Sequence, residues 1–396
     1  MRNNHRSIVT MLAMAFACAM MIVFSSLMEG FVAGSELNIV SMNTGDIQIH
    51  QPSYLDDPDI YQQIEQSLAL VTAIRQAGFK ASERMFAYGL MASDQSSSGV
   101  QLRGIDLQYE TSVTDINQHI QRGTWLAKSD PHGVVIGKKL ARLLDVSVGS
   151  ELIFVGQTAD GYMANDRFHV NGILKSVSSA IDNTGVIMSN LILQDLISLP
   201  DGAHEITIMR TDRSTDLALA VATIDDIVTD DLEILNWQQL MPVISQFLET
   251  AQIQTLIMLL FTYIAVASVV LNAMLMSVFE RIHQFGIMKA LGVRPWQLIR
   301  IIYTETFIQT LIASLLGLFI GTGITWYFEK NGLDLSSMSD GFSFSGLALD
   351  PIWYATLSIK SLFVPVVFLF VIAALAVLYP ALKAAVIRPV DAIHYH

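Results

Sequence analysis

Four stretches of this chain contain no charged residue: 7–28, 250–279, 306–328 and 361–382. Each is long enough to cross about 30 Å of hydrocarbon as a helix. Inside lipid no water satisfies the backbone, and an uninterrupted apolar stretch of this length satisfies its own as a helix. Composition agrees: 15% of the 396 residues are charged, 52% are hydrophobic and the mean hydropathy is +0.46. A soluble chain carries about 25% charged residues. The expected fold class is an α-helical membrane protein with four transmembrane helices, plus an α+β extracytoplasmic domain inserted between helices 1 and 2.

Lysine and arginine near the span ends set the orientation. Arg281, Lys289, Arg294 and Arg300 follow the second span, Arg2 and Arg6 precede the first, and Lys383 and Arg388 follow the fourth. With four spans all three segments fall on one side, which is expected to be cytoplasmic. The loop 329–360 sets Glu329, Asp334, Asp340 and Asp350 against Lys330 and Lys360, as suits the outer side. The first stretch is expected to stay as an anchor, because its apolar core outruns a signal-peptide core and Glu29-Gly30-Phe31 offers no small-residue cleavage site. The single cysteine, Cys18, lies inside that stretch and excludes both a disulfide framework and a Cys/His zinc spacing.

Residues 29–254 are therefore expected outside the cytoplasm. The net charge is −13 and most of the acid lies in this region, which argues against nucleic acid as a partner. Asp57 before Pro58 reads as a helix start, with Ile60, Ile64, Leu68, Val71 and Ile74 at helical spacing and Gly78 closing it. Strands are expected at 46–50, 83–91, 100–105, 151–155, 167–174 and 205–210, a hairpin loop at 93–99, and a second helix at 214–228. Around Leu240, Val243, Ile244, Phe247, Leu248 and Ala251 an apolar stripe at helical period precedes the second span, with Pro242 in its first turn. Both flanking helices are thus expected to continue outward as a stalk, with ordinary helix ends packed on the domain as the competing reading. The expected division is 1–44 for the first helix and stalk, 45–238 for the extracytoplasmic domain, and 239–396 for the second stalk and the remaining spans, near 250–279, 306–328 and 361–382.

No catalytic or metal constellation stands out, and no cofactor is expected. Gly133-Val134-Val135-Ile136-Gly137-Lys138-Lys139 resembles a phosphate-binding loop only superficially. It has three residues between the glycines where four are needed, and Lys139 stands where Ser/Thr would hold Mg²⁺. The histidines show no paired spacing on one helix face.

The loop between the second and third spans is the informative segment. It runs Glu280-Arg281-Ile282-His283-Gln284-Phe285-Gly286-Ile287-Met288-Lys289-Ala290-Leu291-Gly292-Val293-Arg294-Pro295-Trp296. Ile287, Ala290 and Leu291 share one side of a short helix that Gly292 closes, and a new helix begins near Pro295. Such a helix floats at the lipid interface or docks into a groove of a cytoplasmic partner.

This loop resembles the signature of FtsX-like permeases, written E-I-G-I-L-R-A-L-G-A, with Gln284 in place of the usual Glu and Val293 in place of Ala. The segment Tyr379-Pro380-Ala381-Leu382-Lys383-Ala384-Ala385 through Arg388-Pro389-Val390-Asp391-Ala392-Ile393 resembles that family's closing motif. Residues 133–155 are similar to the periplasmic core domain of MacB-like and lipoprotein-releasing permeases, and 45–59 and Arg103-Gly104-Ile105-Asp106 resemble the lipoprotein-releasing branch.

The resemblance implies a permease subunit without its own ATPase domain, not an enzyme. Its implied partners are a cytoplasmic ABC ATPase supplied in trans, a second permease copy or paralogue, membrane lipid, and a periplasmic cargo or partner protein. A coupling helix near 282–291 would seat in the ATPase, with Phe285, Gly286, Met288, Lys289, Leu291 and Gly292 as coupling residues. Phe31, Leu37, Phe247 and Leu248 are candidates to line a substrate cavity between stalks, against the alternative of core packing. The expected function is mechanotransmission that releases lipoproteins or a similar amphiphile from the inner membrane of a Gram-negative cell, with both termini cytoplasmic. The alternative is a non-transporting FtsX-like regulator of a periplasmic enzyme or sensor.

Overall fold

The computed structural model describes residues 2–199, 202–213, 215–228, 231–334, 343–344, 347–348 and 352–386. Asp340, Asp350, Ser214, Arg388, His394, His396 and the end of the closing motif lie outside the described residues. The chain divides into two compact units, one of residues 1–34, 247–339 and 351–396, the other of 35–246 with 340–350.

In chain order, α1 (Arg2–Ile39) runs into a π-turn at Val40–Thr44 and then β1 (Ile47–His50). There follow α2 (Ser67–Gln76), the hairpin β2 (Lys80–Ala92) and β3 (Ser97–Ile105), α3 (Glu110–Val113), β4 (Ile120–Gly123), β5 (Gly133–Ile136) and α4 (Lys138–Leu143). Next come β6 (Glu151–Gln157), β7 (Met163–Leu174), α5 (Ser179–Thr184), β8 (Gly185–Ser189), α6 (Asn190–Ile197), β9 (Glu205–Met209), α7 (Leu217–Asp225), β10 (Glu233–Asn236) and α8 (Trp237–Leu240). The chain continues through α9 (Pro242–Glu280), α10 (Ile282–Ala290) and α11 (Pro295–Asn331). Four two-residue strands, β11 (Leu333–Asp334), β12 (Ser343–Phe344), β13 (Leu347–Ala348) and β14 (Ile352–Trp353), precede α12 (Ile359–Val386).

In the second unit ten strands form one mixed sheet in the order β10-β1-β9-β2-β3-β8-β5-β7-β4, with β6 pairing β2 and β7. The pairs β3–β8 and β5–β7 are parallel and the remaining ones antiparallel. β6 alternates exposed and buried residues as a half-covered strand must, whereas β1, β5, β8 and β9 are buried along their whole length. That difference explains why β5 and β8 escaped notice: short apolar runs covered on both faces have no alternation to read.

The expected helix from Asp57 does not form before Ser67. The Ile64 N–H donates to the Ala203 carbonyl at 2.7 Å, and the Ala203 N–H donates back at 3.4 Å. Gln66 then adopts a left-handed conformation at φ +51°. Pairing across to Ala203 satisfies the Ile64 backbone that a helix would have used, and its side chain is buried by it. Only the second half of the periodic stretch becomes α2.

In the first unit α1, α9, α11 and α12 are each long and apolar enough to cross a membrane. Their shared core includes Cys18 and Ile22 of α1, Tyr263 and Val270 of α9, Ile302 of α11, and Leu369 and Val377 of α12. A Cβ at Gly317 would stand 2.7 Å from the Cys18 Cβ. Its absence lets α11 approach α1 closely, the usual use of small residues between apolar helices. The Tyr263 hydroxyl donates to the Pro365 carbonyl at 2.8 Å, joining α9 to α12.

Candidate coupling helix and its surroundings

The chain between α9 and α11 turns twice within fifteen residues. After Glu280, Arg281 leaves helical geometry at φ −105° and α10 begins. At its end the Val293 N–H donates to the Met288 carbonyl and the Gly292 N–H to that of Lys289, both at 3.0 Å. With Gly292 at φ +95°, this is a Schellman closure, which a side chain at that position would strain. Pro295 then occupies the first position of α11, where a missing N–H costs nothing.

Three contacts fasten this turn to the bundle. Arg281 pairs with Glu305 at 3.0 Å, Lys289 donates to the Ala385 carbonyl of α12, and the Lys383 ammonium lies 4.6 Å from the centre of the Phe279 ring. Burial pushes the Lys289 pKa down.

The six coupling candidates divide by burial. Phe285 and Gly286 face inward, and Phe285 belongs to the bundle core. Met288 and Lys289 are half-buried, whereas Leu291 and Gly292 are exposed. Phe285 and Gly286 are thus anchors of α10 rather than its surface. The outward face is His283, Gln284, Ile287, Ala290 and Leu291, with Leu291 82% exposed and Ile287 44%. Ile287, Ala290 and Leu291 were legible from helical spacing; His283 and Gln284 were not singled out, although the same spacing contains them.

Of the four cavity candidates, Phe31, Phe247 and Leu248 lie in the helical unit. The Phe31 ring meets Phe247 edge-on at 6.3 Å and lies 4.3 Å from Trp353, between ring centres. Phe31 and Leu248 are both buried. Leu37 belongs to the other unit and is exposed. Trp353 gives no signal of its own in the sequence; Gly30 marks the segment that follows it. A Cβ at Gly30 would fall 1.9 Å from the Tyr354 carbonyl oxygen. The segment before α12 lies along α1 through that gap: the Thr356 N–H donates to the Ser26 carbonyl at 3.0 Å, and the Ser358 hydroxyl to Glu29 at 2.6 Å.

In the sheet-bearing unit the turn after α1 is held by charge. Arg84, 1% exposed, donates to Glu110 at 2.5 Å, to Glu205 at 2.7 Å and to the Asn43 carbonyl at 2.6 Å. Arg103 donates to the Asn43 side chain at 2.7 Å. Burial alone would raise the pKa of Glu110 and Glu205, but the Arg84 charge and its hydrogen bonds outweigh it and hold both below the usual carboxylate range. Burial, then the neighbouring Arg84, lowers Arg103 to about 10.

Residues 7–227 match the family model of the MacB-like periplasmic core domain, and residues 256–389 match the FtsX-like permease C-terminal domain. The chain belongs to the MacB-like, FtsX-like family of ABC transporter permeases. It is 26% identical over 316 residues to the lipoprotein-releasing system transmembrane protein LolC of Xylella fastidiosa, covering 74% of this chain and 72% of that one. It is 28% identical over 173 residues to the macrolide export ATP-binding/permease protein MacB of Marinobacter nauticus, covering 39% of this chain and 27% of that one. Among solved structures, the periplasmic region of MacB from Actinobacillus actinomycetemcomitans aligns with 53% of this chain and 95% of its own, at 15% identity and a TM-score of 0.39.

Proposed function

We propose that this chain is the permease subunit of an ATP-driven transporter of the mechanotransmission type, releasing lipoproteins or a similar amphiphile from the inner membrane. Residues 45–238 are its periplasmic core, 1–44 and 239–396 its stalks and spans, and both termini are cytoplasmic. An ABC ATPase acting in trans closes on ATP and pushes α10, and a second permease copy or paralogue completes the pair. The force travels along α1 and α9, within each of which the boundary between the two units falls. ATP drives this only by binding closed and open states with different affinity.

The observation that carries the reading is α10 itself. It is fixed to the bundle by Phe285, Arg281 and Lys289, yet turns Ile287, Ala290 and Leu291 outward. A helix so mounted transmits a push on its outer face to α9 and α11. The similarity to LolC motivates the lipoprotein cargo.

The test is purification of the chain from native membranes in mild detergent, with mass spectrometry of what is retained. A stoichiometric ATPase with acylated proteins supports the proposal. An ATPase with a periplasmic hydrolase or sensor and no acylated cargo replaces it with the regulatory reading. Leu291→Asp should then abolish ATPase retention while the chain still inserts; full retention would remove α10 from the coupling role.

A further inference from the structure

The sheet-bearing unit contains a cavity of about 520 Å³ to which the transport reading gives no role. Two helices begin at its wall. Ser67 and Leu68 are the first turn of α2, and Asn190, Leu191 and Ile192 that of α6. First-turn N–H groups have no partner within their own helix, and neither Gln66 nor Ser189, the residues preceding these helices, caps them with a side chain. Lys128 adds a positive charge to the wall. One part of the lining therefore favours an anion.

Another part favours a cation. Glu83 and Asp106 present carboxylates to the same space. Glu83 Oε1 is buried without a hydrogen-bond partner, and so is the side-chain oxygen of Asn190, a residue 93% buried by its 7% exposure. Buried acceptors left unpaired are costly, and a donor brought by a ligand removes that cost. Burial, with Asp106 beside it, raises the Glu83 pKa although a Ser67 hydrogen bond and the Arg75 charge pull the other way, and a bound ammonium at the unpaired Oε1 would reverse the shift. Ile105, Leu107 and Pro131 supply apolar wall between the polar groups.

We propose that this cavity binds a small zwitterion that carries a primary ammonium and an anionic group. Glu83 and Asn190 accept from the ammonium, while Lys128 and the helix starts take the anion. A free apolar α-amino acid and the headgroup of an ethanolamine phospholipid share this chemistry. Neither charge alone suits the site: a simple cation leaves Lys128 and the helix starts unused, and a simple anion meets Glu83 and Asp106. The inference is independent of the cargo, since it concerns residues of the sheet-bearing unit only.

Calorimetric titration of the full chain in detergent with L-leucine and with glycerophosphoethanolamine tests it. N-acetyl-leucine, which lacks the ammonium, and leucine methyl ester, which lacks the carboxylate, serve as the paired controls. Saturable binding of either zwitterion, with both controls at least about tenfold weaker, is the expected result. Which zwitterion binds more tightly identifies the source, amino acid or lipid. Glu83→Gln should weaken the bound zwitterion by about tenfold without lowering the melting temperature of the unliganded chain. Failure of both zwitterions to bind at millimolar concentration, or equal binding of N-acetyl-leucine, overturns the proposal. Because the controls are read on the unaltered chain, a folding defect in the variant cannot rescue or sink it.

Discussion

The two units put their apolar side chains to opposite uses. In the sheet-bearing unit β1, β5, β8 and β9 bury every residue, and the burial extends to charge: Arg84, Glu110 and Glu205 lie inside it, paired with one another. In the helical unit Leu256, Phe261, Phe307 and Phe319 are exposed. Half of the apolar stretch of α1 is buried within the bundle, against 17% of that of α9. In water a face of that kind would be an aggregation surface. In hydrocarbon it costs nothing, and what holds the helices together is close packing at Gly317 and Cys18 together with the Tyr263–Pro365 hydrogen bond. One unit is built by excluding water and the other by fitting helices in its absence.

The sharpest break in that comparison is Arg84→Met. It leaves Glu110 and Glu205 buried without their cation, and removal of one partner from such a cluster costs about 3–5 kcal/mol. Denaturation of the full chain in detergent, followed by a probe in the sheet-bearing unit, should show it. The pH dependence gives the sign. Both glutamates have folded pKa values below their ordinary 4.5, so their contribution is present above that pH and lost as pH falls through the folded values. The unaltered unit should weaken on acidification below about pH 4.5, while in Arg84→Met protonation relieves the stranded carboxylates and the acid limb flattens or reverses. An unchanged acid limb would mean that Arg84 does not hold these groups.

Next in size is a matched pair in the helical unit. Leu369 is fully buried and Leu315 is 58% exposed. Leu369→Ala should cost about 2–5 kcal/mol and Leu315→Ala no more than about 0.5 kcal/mol when unfolding is followed in detergent micelles. Equal losses would show that the outward leucines of α11 are packed against protein in the native assembly, not against lipid or detergent. That outcome would locate a permease–permease contact on α11.

Smaller again is Gly30→Ala, whose new Cβ meets the Tyr354 carbonyl oxygen. Overpacking of this kind costs about 1–3 kcal/mol. Crosslinking between cysteines at Glu29 and Ser358, 2.6 Å apart through their side chains, should fall in the alanine variant. Undiminished crosslinking would mean that the segment before α12 does not lie against α1.

The contrast also explains what the sequence disclosed. Charge-free length, Pro242 and Pro295 at helix starts, and Gly292 at a helix end are local signals, and each appears where the sequence placed it. The hairpin of β2 and β3 and the alternating β6 were legible for the same reason. Non-local partners decided the rest. Ile64 sits in a helical pattern but pairs with Ala203, a residue distant in sequence, and β5 and β8 are strands only because both faces are covered. At the candidate site the outward side of α10 could be read from spacing. That Phe285 and Gly286 face inward could not, since nothing local says which side of a short helix meets the bundle. Arg84, Glu110 and Glu205 gave no signal at all: their meeting requires β2, α3 and β9 to be assembled first.

The smallest effect is the most specific. Gly292 has no neighbouring atom within 4 Å of a would-be Cβ, so its only constraint is the positive φ of the helix closure. Gly292→Ala should therefore cost about 1 kcal/mol and Gly292→Asn less, because asparagine tolerates that conformation better than alanine does. Global melting will scarcely register either. Amide hydrogen exchange across 282–293 should, with protection at positions 292 and 293 falling in the order glycine, asparagine, alanine. If α10 carries the ATPase stroke, coupled activity follows the same order while the Leu369 core stays unchanged. Equal exchange in the two variants would mean that the closure is held from elsewhere, by Lys289 on Ala385 or by the ATPase itself, and the turn would then be a passive link between α9 and α11 rather than a part of the lever.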